Sequence, residues 1–392
     1  MGGVVKGAAT ELIHAGEVDR GVAVPLTTPI YETTTFVFDN AQEVVAYNEG
    51  RSAKFLYSRY TNPTVVSVEA KLAILDRTEA ALVFSSGMGA TATILMAHLR
   101  AGDEVLCGAA IYGGTLHLLQ DLLAHFGITP RFISLHDLAN LERVFSDRTR
   151  LVWFESPINP TLRCVDIRRV AEACRARGVT SVIDNTFASP MNQQPLGLGI
   201  DLAMQSATKY LNGHSDVTGG VVTGSKALVA PIEKTRRLVG TVMDPHPAYA
   251  LGRGLKTLPL RVAQHNANAR AVADFLANDR RVSQVYYPGL PSHPDHDVAA
   301  RQMSGFGGMV CFDLDGRYDR AERVYDRLQI VKRAASLGGI ESLISMPVLT
   351  SQWGHSDEQL RDAGVTKGML RLSVGLEDVA DLIADLDQAL AL

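Results

Sequence analysis

The chain has 392 residues, 46% of them hydrophobic and 20% charged, and its formal net charge is -4. Such values are typical of a globular protein with room for one large and one smaller domain. The composition lacks the basic excess that neutralising a phosphate backbone requires, so we expect no nucleic-acid partner.

The cysteines and the hydrophobic segments give a further expectation about the compartment. No C-x-x-C spacing occurs, which argues against a zinc site and a disulfide framework and predicts thiols in a reducing compartment. The first residues, MGGVVKGAATELIHAG, contain no apolar signal region, and no run of about 18 apolar residues occurs. We therefore expect a cytoplasmic protein with no membrane partner. The four cysteines are Cys107, Cys164, Cys174 and Cys311.

The first 60 or so residues contain TTPIYETTTFVF and FLYSRYTNPT. These stretches are too extended and too rich in Pro and Thr for a core element. We predict that residues 1–60 form an arm that packs on a neighbouring subunit.

From about Ala80 onward, short apolar runs alternate with segments of helical period. The runs ALVF, EVLC, RFISL, LVWFE and SVIDN predict strands, and this alternation is typical of an α/β fold with a mostly parallel sheet covered by helices. Helices are predicted over 87–99, 114–126 and 165–177, the last closed by Gly178. We assign residues 61–258 to this domain.

After a long helical pattern over 260–277 the pattern of predicted elements changes. The runs GMVCFDLDG and MLRLSV predict strands that alternate with short helices, and Asp378 is placed to cap a final amphipathic helix. We therefore predict a smaller C-terminal α/β domain over 259–392, with its boundary close to Pro259.

Three segments of the large domain suggest chemistry when they are taken together. Ser85-Ser86-Gly87-Met88-Gly89 joins a strand to a helix, where backbone N–H groups suit an anion. Asp184 ends the strand of VIDNT, at the sheet edge where α/β proteins bind ligands. Lys209 follows two hydroxyl residues in SATK. Taken singly, each segment also fits a role without chemistry: the first a structural turn, the second a helix cap and the third a surface charge. Together they are the parts of a pyridoxal 5′-phosphate (PLP) site, in which the lysine bonds to the cofactor aldehyde.

The segment SHPDHD is the strongest metal candidate among the eleven histidines. His293, Asp295 and His296 fall there in a Pro-rich turn, and no further ligand group can be placed beside them. We expect a solvated loop and no metal.

The chain resembles the Cys/Met-metabolism PLP-dependent enzymes, a family that includes cystathionine γ-synthase, the cystathionine lyases, methionine γ-lyase and homoserine-ester sulfhydrylases. The resemblance covers nearly the whole chain, through YSRYTNPT, SSGMGA, IYGGT, ESPINP, VIDNTFASP, SATKYLNGHSDV, SLGG and LRLSVGLED. It implies the type I aminotransferase fold and a homotetramer built from two close dimers.

The resemblance also implies cofactor contacts. Lys209 would form the Schiff base with PLP and later move protons between substrate carbons. Asp184 would pair with the pyridinium nitrogen, and Tyr112 of IYGG would stack on the ring and act as an acid or base near the leaving group. The phosphate would be held by Gly87, Met88, Ser206 and Thr208.

Two further groups of contacts follow from the same resemblance. Tyr57 and Arg59 of YSRY would reach the phosphate from the adjacent subunit. Arg371 of LRLSVG would bind the carboxylate of an amino-acid substrate through a two-pronged ion pair, assisted by Asn159 and Ser336. For Glu155 of ESPINP, the resemblance implies no more than a role in orienting the neighbouring loop.

The family pattern is not matched everywhere. Ala335 stands where cystathionine-handling γ enzymes commonly carry a Glu, and Gly114 stands where methionine γ-lyases usually carry a Cys. Residues 351–353 replace a common S/T-H-A/S pattern with Ser-Gln-Trp. Since these positions face the distal end of the substrate in the family, we expect a distal group other than that of cystathionine.

The reaction expected from the resemblance is γ-elimination or γ-replacement on an amino acid derived from homoserine or homocysteine, because IYGGT and LRLSVGLED resemble the γ-acting branch. The alternative is β-elimination from cystathionine or cysteine conjugates. A non-catalytic PLP-binding homologue is a third possibility, which the presence of every expected catalytic side chain disfavours.

Overall fold

A computed structural model describes residues 7–15 and 25–391, except the side chain of Asp362. Part of the predicted arm, residues 1–6 and 16–24, lies outside this range. The helices are α1 Ala8–His14, α2 Ala41–Asn48, α3 Pro63–Leu75, α4 Gly87–His98, α5 Gly113–His117, α6 Leu135–Leu138, α7 Ile167–Arg177, α8 Ser189–Asn192, α9 Lys226–Val239, α10 Pro245–Leu255, α11 Leu258–Ala277, α12 His296–Gln302, α13 Tyr318–Arg327, α14 Asp357–Asp362 and α15 Val379–Leu390. The strands are β1 Ala80–Phe84, β2 Glu104–Gly108, β3 Thr129–Ile133, β4 Thr149–Glu155, β5 Thr180–Asp184, β6 Leu202–Ser206, β7 Gly220–Gly224, β8 Gln284–Tyr286, β9 Met309–Asp313, β10 Lys332–Arg333, β11 Leu343–Ser345 and β12 Met369–Ser373.

The larger sheet has seven strands in the order β1-β7-β6-β5-β4-β2-β3. From β6 to β3 each neighbouring pair is parallel, whereas β7 runs antiparallel to both β1 and β6. The mostly parallel α/β sheet predicted from the sequence is therefore confirmed. Because β4, β5 and β6 are parallel, their carboxyl ends share one edge of the sheet.

Helices cover both faces of this sheet, as the alternation of side chains along β4 shows. Leu151 and Trp153 pack in a cluster with residues of α4 and α9, while Val152 and Phe154 pack in a second cluster with residues of α7. Successive strand residues point to opposite faces, so both faces of β4 are buried.

The smaller sheet has five strands in the order β10-β11-β12-β9-β8, and only β10 and β11 pair in parallel. Its core contains residues from α11, α13 and α15. The predicted smaller α/β unit is confirmed.

Local details differ from the sequence predictions at two helices. The segment predicted as one helix over 114–126 is α5 up to His117, followed by a π turn over Leu118–Leu122 and a 3-10 turn over Leu123–Phe126. This path keeps both Leu119 and Leu123 in the same core cluster. Asp378 does precede α15, but its side chain makes no capping hydrogen bond. By contrast, Gly178 ends α7 at a φ of 69°, as predicted.

The SHPDHD segment is not the solvated loop that the sequence predicted. The side chain of His293 is only 3% exposed, and Asp295 accepts hydrogen bonds from Arg163. The Pro-rich turn is instead packed against a distant part of the chain. No group of three or more His, Cys, Asp or Glu side chains within 7–15 and 25–391 is placed to hold a metal ion.

Three further observations concern the amino-terminal region, the helices and the cysteines. Leu12 of α1 is buried in a cluster with residues of α3 and α10, so α1 packs on its own chain. Within the described part of the chain, no helix combines the length and apolar character needed to cross a membrane. All four cysteines are buried and unpaired with one another.

Candidate active site

A cavity of about 560 Å³ lies at the shared carboxyl edge of β4, β5 and β6. Side chains from the amino-terminal end of α4 and from β12 of the smaller sheet complete its walls. This volume lies in the range of small-molecule sites. The cavity brings together ten of the predicted site residues: Gly87, Met88, Tyr112, Asn159, Asp184, Ser206, Thr208, Lys209, Ser336 and Arg371.

One corner of the cavity is suited to an anion. Ser86 caps α4 by accepting a hydrogen bond from the backbone N–H of Gly89 at 2.9 Å. Gly87 sits so close to β6 that an added Cβ would lie 3.2 Å from Oγ of Ser206. The missing side chain thus leaves backbone and hydroxyl groups together at the positive end of a helix. Gly87 and Ser206 lie at this corner, and Met88 and Thr208 also line the cavity.

Two carboxyl groups also line the cavity. Glu155 and Asp184 occupy paired positions at the ends of β4 and β5. Asp184 accepts hydrogen bonds from the backbone N–H of Thr186 at 2.9 Å and from its hydroxyl at 2.5 Å. Burial raises the pKa of both carboxyl groups, and the charge of Asp184 raises the pKa of Glu155 further. Such a pair is stabilised when a cation is brought to it.

The amine of Lys209 lies between the two halves of the molecule. Its Nζ donates a hydrogen bond to Oγ of Ser336 at 2.8 Å. Burial lowers the pKa of Lys209, and the nearby charge of Arg371 lowers it further. The neutral, nucleophilic form of this amine is therefore more accessible than that of a solvated lysine.

Arg371 has the geometry of an anion receptor. It is buried on β12, and its Nη1 donates a hydrogen bond to Oδ1 of Asn159 at 2.8 Å. Its buried Nε has no hydrogen-bond partner in the described part of the chain. Burial lowers the pKa of Arg371, so an incoming carboxylate would offset the cost of burying the guanidinium.

Tyr112 stands at the mouth of the cavity. Its backbone N–H donates a hydrogen bond to Oε1 of Glu155 at 2.6 Å, and its ring is half exposed. A Cβ on Gly114 would lie 2.5 Å from the ring carbon Cε1 of Tyr112, so the ring crosses a space that only glycine leaves open.

Tyr57 and Arg59 do not line the cavity of their own chain. The guanidinium of Arg59 lies 5.6 Å from the ring centre of Tyr57 and 4.9 Å from that of Tyr60. It also donates a hydrogen bond to the backbone oxygen of Arg237. The predicted contact of these two residues with a phosphate therefore does not arise within one chain.

Thr186 is a site residue that the sequence reasoning missed. Besides binding Asp184, its hydroxyl accepts a hydrogen bond from the backbone N–H of Ser206 at 2.8 Å, which links the ends of β5 and β6. The available signal was a hydroxyl two residues after a strand-end Asp, a spacing typical of local side-chain to backbone bonding.

The residues of the cavity fit PLP. The amine of Lys209, whose pKa is lowered by burial, meets the need for a nucleophile, and the carboxyl group of Asp184 meets the need for a partner of the protonated ring nitrogen. The helix end and the two hydroxyl residues beside Gly87 match a phosphate. Arg371 remains available for the carboxylate of an amino acid.

Comparison with known proteins gives consistent matches along the chain. The family model described as Cys/Met metabolism PLP-dependent enzyme matches residues 9–391. L-methionine gamma-lyase of Pseudomonas putida is 43% identical over 386 residues, covering 98% of this chain and 97% of that protein. Cystathionine gamma-synthase of Mycobacterium bovis is 43% identical over 387 residues, with coverage of 98% and 97%.

Solved structures show the same similarity. Cystathionine gamma-lyase from Lactobacillus plantarum, solved in complex with L-serine, superimposes with a TM-score of 0.92 at 37% sequence identity. The superposition covers 98% of this chain and 99% of that one.

Proposed function

Because the chain belongs to the Cys/Met metabolism PLP-dependent enzyme family, we propose that its cavity holds PLP on Lys209 and cleaves the γ-substituent from an amino acid held by Arg371. The protein is a PLP-dependent enzyme with the type I fold, of the kind that performs γ-elimination or γ-replacement in sulfur amino-acid metabolism. The observation that carries the proposal is the convergence of Lys209, Asp184 and Arg371 on one cavity.

The residues at the anion corner, Asp184 and Lys209 would hold the cofactor at its phosphate, its ring nitrogen and its aldehyde. When bound, PLP supplies an electron sink that stabilises negative charge at the α carbon of the substrate. Asp184 would keep the ring nitrogen protonated. Lys209 would carry protons, because burial and Arg371 lower the pKa of its amine into a more accessible range.

The substrate would be oriented by its carboxylate. Arg371 would bind both carboxylate oxygens, while Asn159 fixes one side of the guanidinium through the 2.8 Å hydrogen bond to Nη1. Tyr112, whose ring reaches the mouth of the cavity, would transfer a proton near the leaving group. We propose an uncharged distal group, because the wall formed by Ala335, Thr350 and Ser351 offers hydroxyls and a methyl group rather than charge.

We propose further that Tyr57 and Arg59 complete the cavity of a neighbouring chain in a cytoplasmic homotetramer. The exposure of Tyr57 and the distance of both residues from their own cavity support this arrangement.

The first test is an absorption spectrum of the purified protein before and after borohydride. We expect a band near roughly 420 nm, where PLP bonded to a lysine absorbs, and we expect reduction to remove it. The Lys209→Ala variant should lack this band, whereas Lys226→Ala, which removes an exposed lysine of α9, should retain it. A band that persists in Lys209→Ala would contradict the assignment.

The second test identifies the keto acid released from a panel of γ- and β-substituted amino acids. We expect 2-oxobutanoate from γ-substituted homoserine or homocysteine derivatives. Pyruvate as the main product would instead support β-elimination. Failure to release a keto acid or to form a new thioether from activated homoserines would contradict the γ assignment.

A further inference from the structure

Asp295 stands at the position that should cap α12, yet its side chain makes no capping hydrogen bond. Instead its carboxylate accepts hydrogen bonds from Nε of Arg163 at 2.5 Å and from Nη2 at 3.1 Å. It also accepts one from the backbone N–H of Cys164 at 2.9 Å. An Asp at an N-cap normally binds its own helix. Here its hydrogen bonds go to a segment about 130 residues earlier in the sequence.

The carboxyl end of α12 is hydrogen-bonded to the same segment. Nε2 of Gln302 donates a hydrogen bond to the backbone oxygen of Val165 at 2.9 Å, and its Oε1 accepts one from the backbone N–H of Ile167 at 3.2 Å. Between these two ends, Ala299 of α12 packs against Cys164. Thus α12 lies along residues 163–167 and is fastened to them at both ends.

The segment held by α12 is the base of a loop over residues 156–165, which we call the Asn159 loop. Oγ of Ser156 accepts a hydrogen bond from the backbone N–H of Val165 at 3.1 Å, and the backbone N–H of Ile158 donates to the oxygen of Arg163 at 2.9 Å. These bonds close the loop at its base, with Asn159 near its turn. Movement of Arg163 would therefore be transmitted directly to Asn159.

Asn159 is the residue that holds Nη1 of Arg371. We propose that Asp295 is a positioning residue for substrate recognition: by fixing Arg163 and Cys164, it sets the Asn159 loop and thereby the orientation of Arg371. This inference rests on the proposed function, in which Arg371 binds the substrate carboxylate. It gives the SHPDHD segment a role in affinity, although none of its residues lines the cavity.

The test uses the PLP-loaded enzyme and two small probes that lack a leaving group. Binding of each probe is measured through the absorption change of the bound cofactor. Glycine carries the carboxylate that Arg371 would bind, whereas methylamine has only the amine. Since a small misplacement of a binding group weakens recognition strongly, we expect Asp295→Asn to raise the Kd of glycine about tenfold. The Kd of methylamine should stay within about twofold, because the cofactor end of the cavity is not touched.

A matched control is available in Asp279→Asn. Asp279 also binds one arginine through two nitrogens, Nε and Nη2 of Arg281, and accepts a backbone hydrogen bond. The side chains of Asp279 and Asp295 are similarly buried, at 10% and 14% exposure, but Asp279 lies outside the cavity. This control should leave the Kd of both probes unchanged. Arg163→Gln removes the same ion pair from its other side and should reproduce the glycine effect if Asp295→Asn does not fold.

Two results would overturn the inference. One is a Kd of glycine that is unchanged in both Asp295→Asn and Arg163→Gln. The other is a rise in the Kd of methylamine that equals the rise in the Kd of glycine in these variants. Arg371→Lys separates this inference from the proposed function. If Arg371→Lys weakens glycine binding and the Asp295 variant does not, Asp295 has no positioning role. If Arg371→Lys leaves glycine binding intact, the carboxylate assignment of Arg371 itself is wrong.

Discussion

The two carboxyl groups at the ends of β4 and β5 have different hydrogen-bond partners. Asp184 accepts two hydrogen bonds from Thr186, which favour its ionised form, whereas Glu155 accepts one from the backbone N–H of Tyr112. Burial raises the pKa of Glu155, and the charge of Asp184 adds to the increase. Asp184 is therefore the member of the pair that ionises first, and Glu155 is the member that holds a proton more strongly.

This difference predicts different results for substitutions at the two positions. Glu155→Gln keeps a neutral acceptor for Tyr112, so we expect kcat within about threefold of the original value and normal PLP content. Glu155→Ala leaves the N–H of Tyr112 without its partner and should reduce kcat about tenfold or more, since an unpaired buried donor costs about 1 to 3 kcal/mol. Keto-acid release and bound PLP are the measurements. A Glu155→Gln enzyme as impaired as Asp184→Asn would show that Glu155 acts through its charge.

At the scale of elements, the sequence was sufficient where one local signal decides the structure. Strands β1 to β5 of the large sheet were found because each is a short apolar run, whereas β7 was not predicted. The end of α7 was found because Gly178 supplies a positive φ. The site residues at strand ends followed from the parallel arrangement of β4, β5 and β6.

The sequence was insufficient where contacts with a distant segment determine the local structure. The ion pair between Arg163 and Asp295 joins residues 132 positions apart, and composition alone made SHPDHD look solvated. The π turn after α5 has the same leucine spacing as an ordinary helix, so periodicity could not reveal it. Packing between distant segments, rather than local propensity, determines these features.

Asp76 provides a prediction about the end of α3. It is the residue just after this helix, is buried, and accepts a hydrogen bond from the hydroxyl of Thr223 on β7 at 2.7 Å. Its other oxygen has no hydrogen-bond partner among the described residues. Burial raises the pKa of Asp76 to about 6, while Thr223 partly opposes the increase. A negative charge at the carboxyl end of a helix is also unfavourable, because that end of the helix dipole is itself negative.

The raised pKa fixes the direction of a pH effect. The folded protein binds a proton on Asp76 that the unfolded chain releases near pH 4, so this contribution to stability is full below about pH 4 and is lost as pH rises through about 6. We expect Asp76→Asn to be more stable than the original protein at pH 8 by roughly 2 to 3 kcal/mol, and similar to it near pH 4. Thermal midpoints of the PLP-loaded proteins across this range are the measurement. Asp147→Asn, which changes an exposed carboxylate, should show no such trend. A stability difference for Asp76→Asn that does not vary with pH would contradict the assignment.

At the scale of the whole molecule, the cavity lies between the larger and the smaller sheet. Lys209 follows the large sheet and Ser336 belongs to the smaller unit, so their 2.8 Å hydrogen bond joins the two. Among the described residues, the arginine that lines the cavity is Arg371, and its Nη1 is bonded to Asn159. Arg59 is exposed and stacks on Tyr60, and the apolar side chain of Val37 is 87% exposed. These features are typical of a surface that another copy of the chain covers.

If Arg59 serves the cofactor of a partner chain, Arg59→Ala should weaken PLP retention, whereas Arg177→Ala, at an exposed arginine of α7, should not. A sharper test combines two impaired proteins, Arg59→Ala and Lys209→Ala, by co-expression with different tags. In a hybrid dimer, one cavity receives Lys209 from the first chain and Arg59 from the second, and is therefore intact. Random pairing makes half of the dimers hybrid, each with one intact site of two, so about a quarter of the original activity should return. Restoration requires that the two residues act from different chains. If Arg59 acted in its own chain, every cavity of the hybrid would lack Arg59 or Lys209, and the mixture would stay as impaired as its parents.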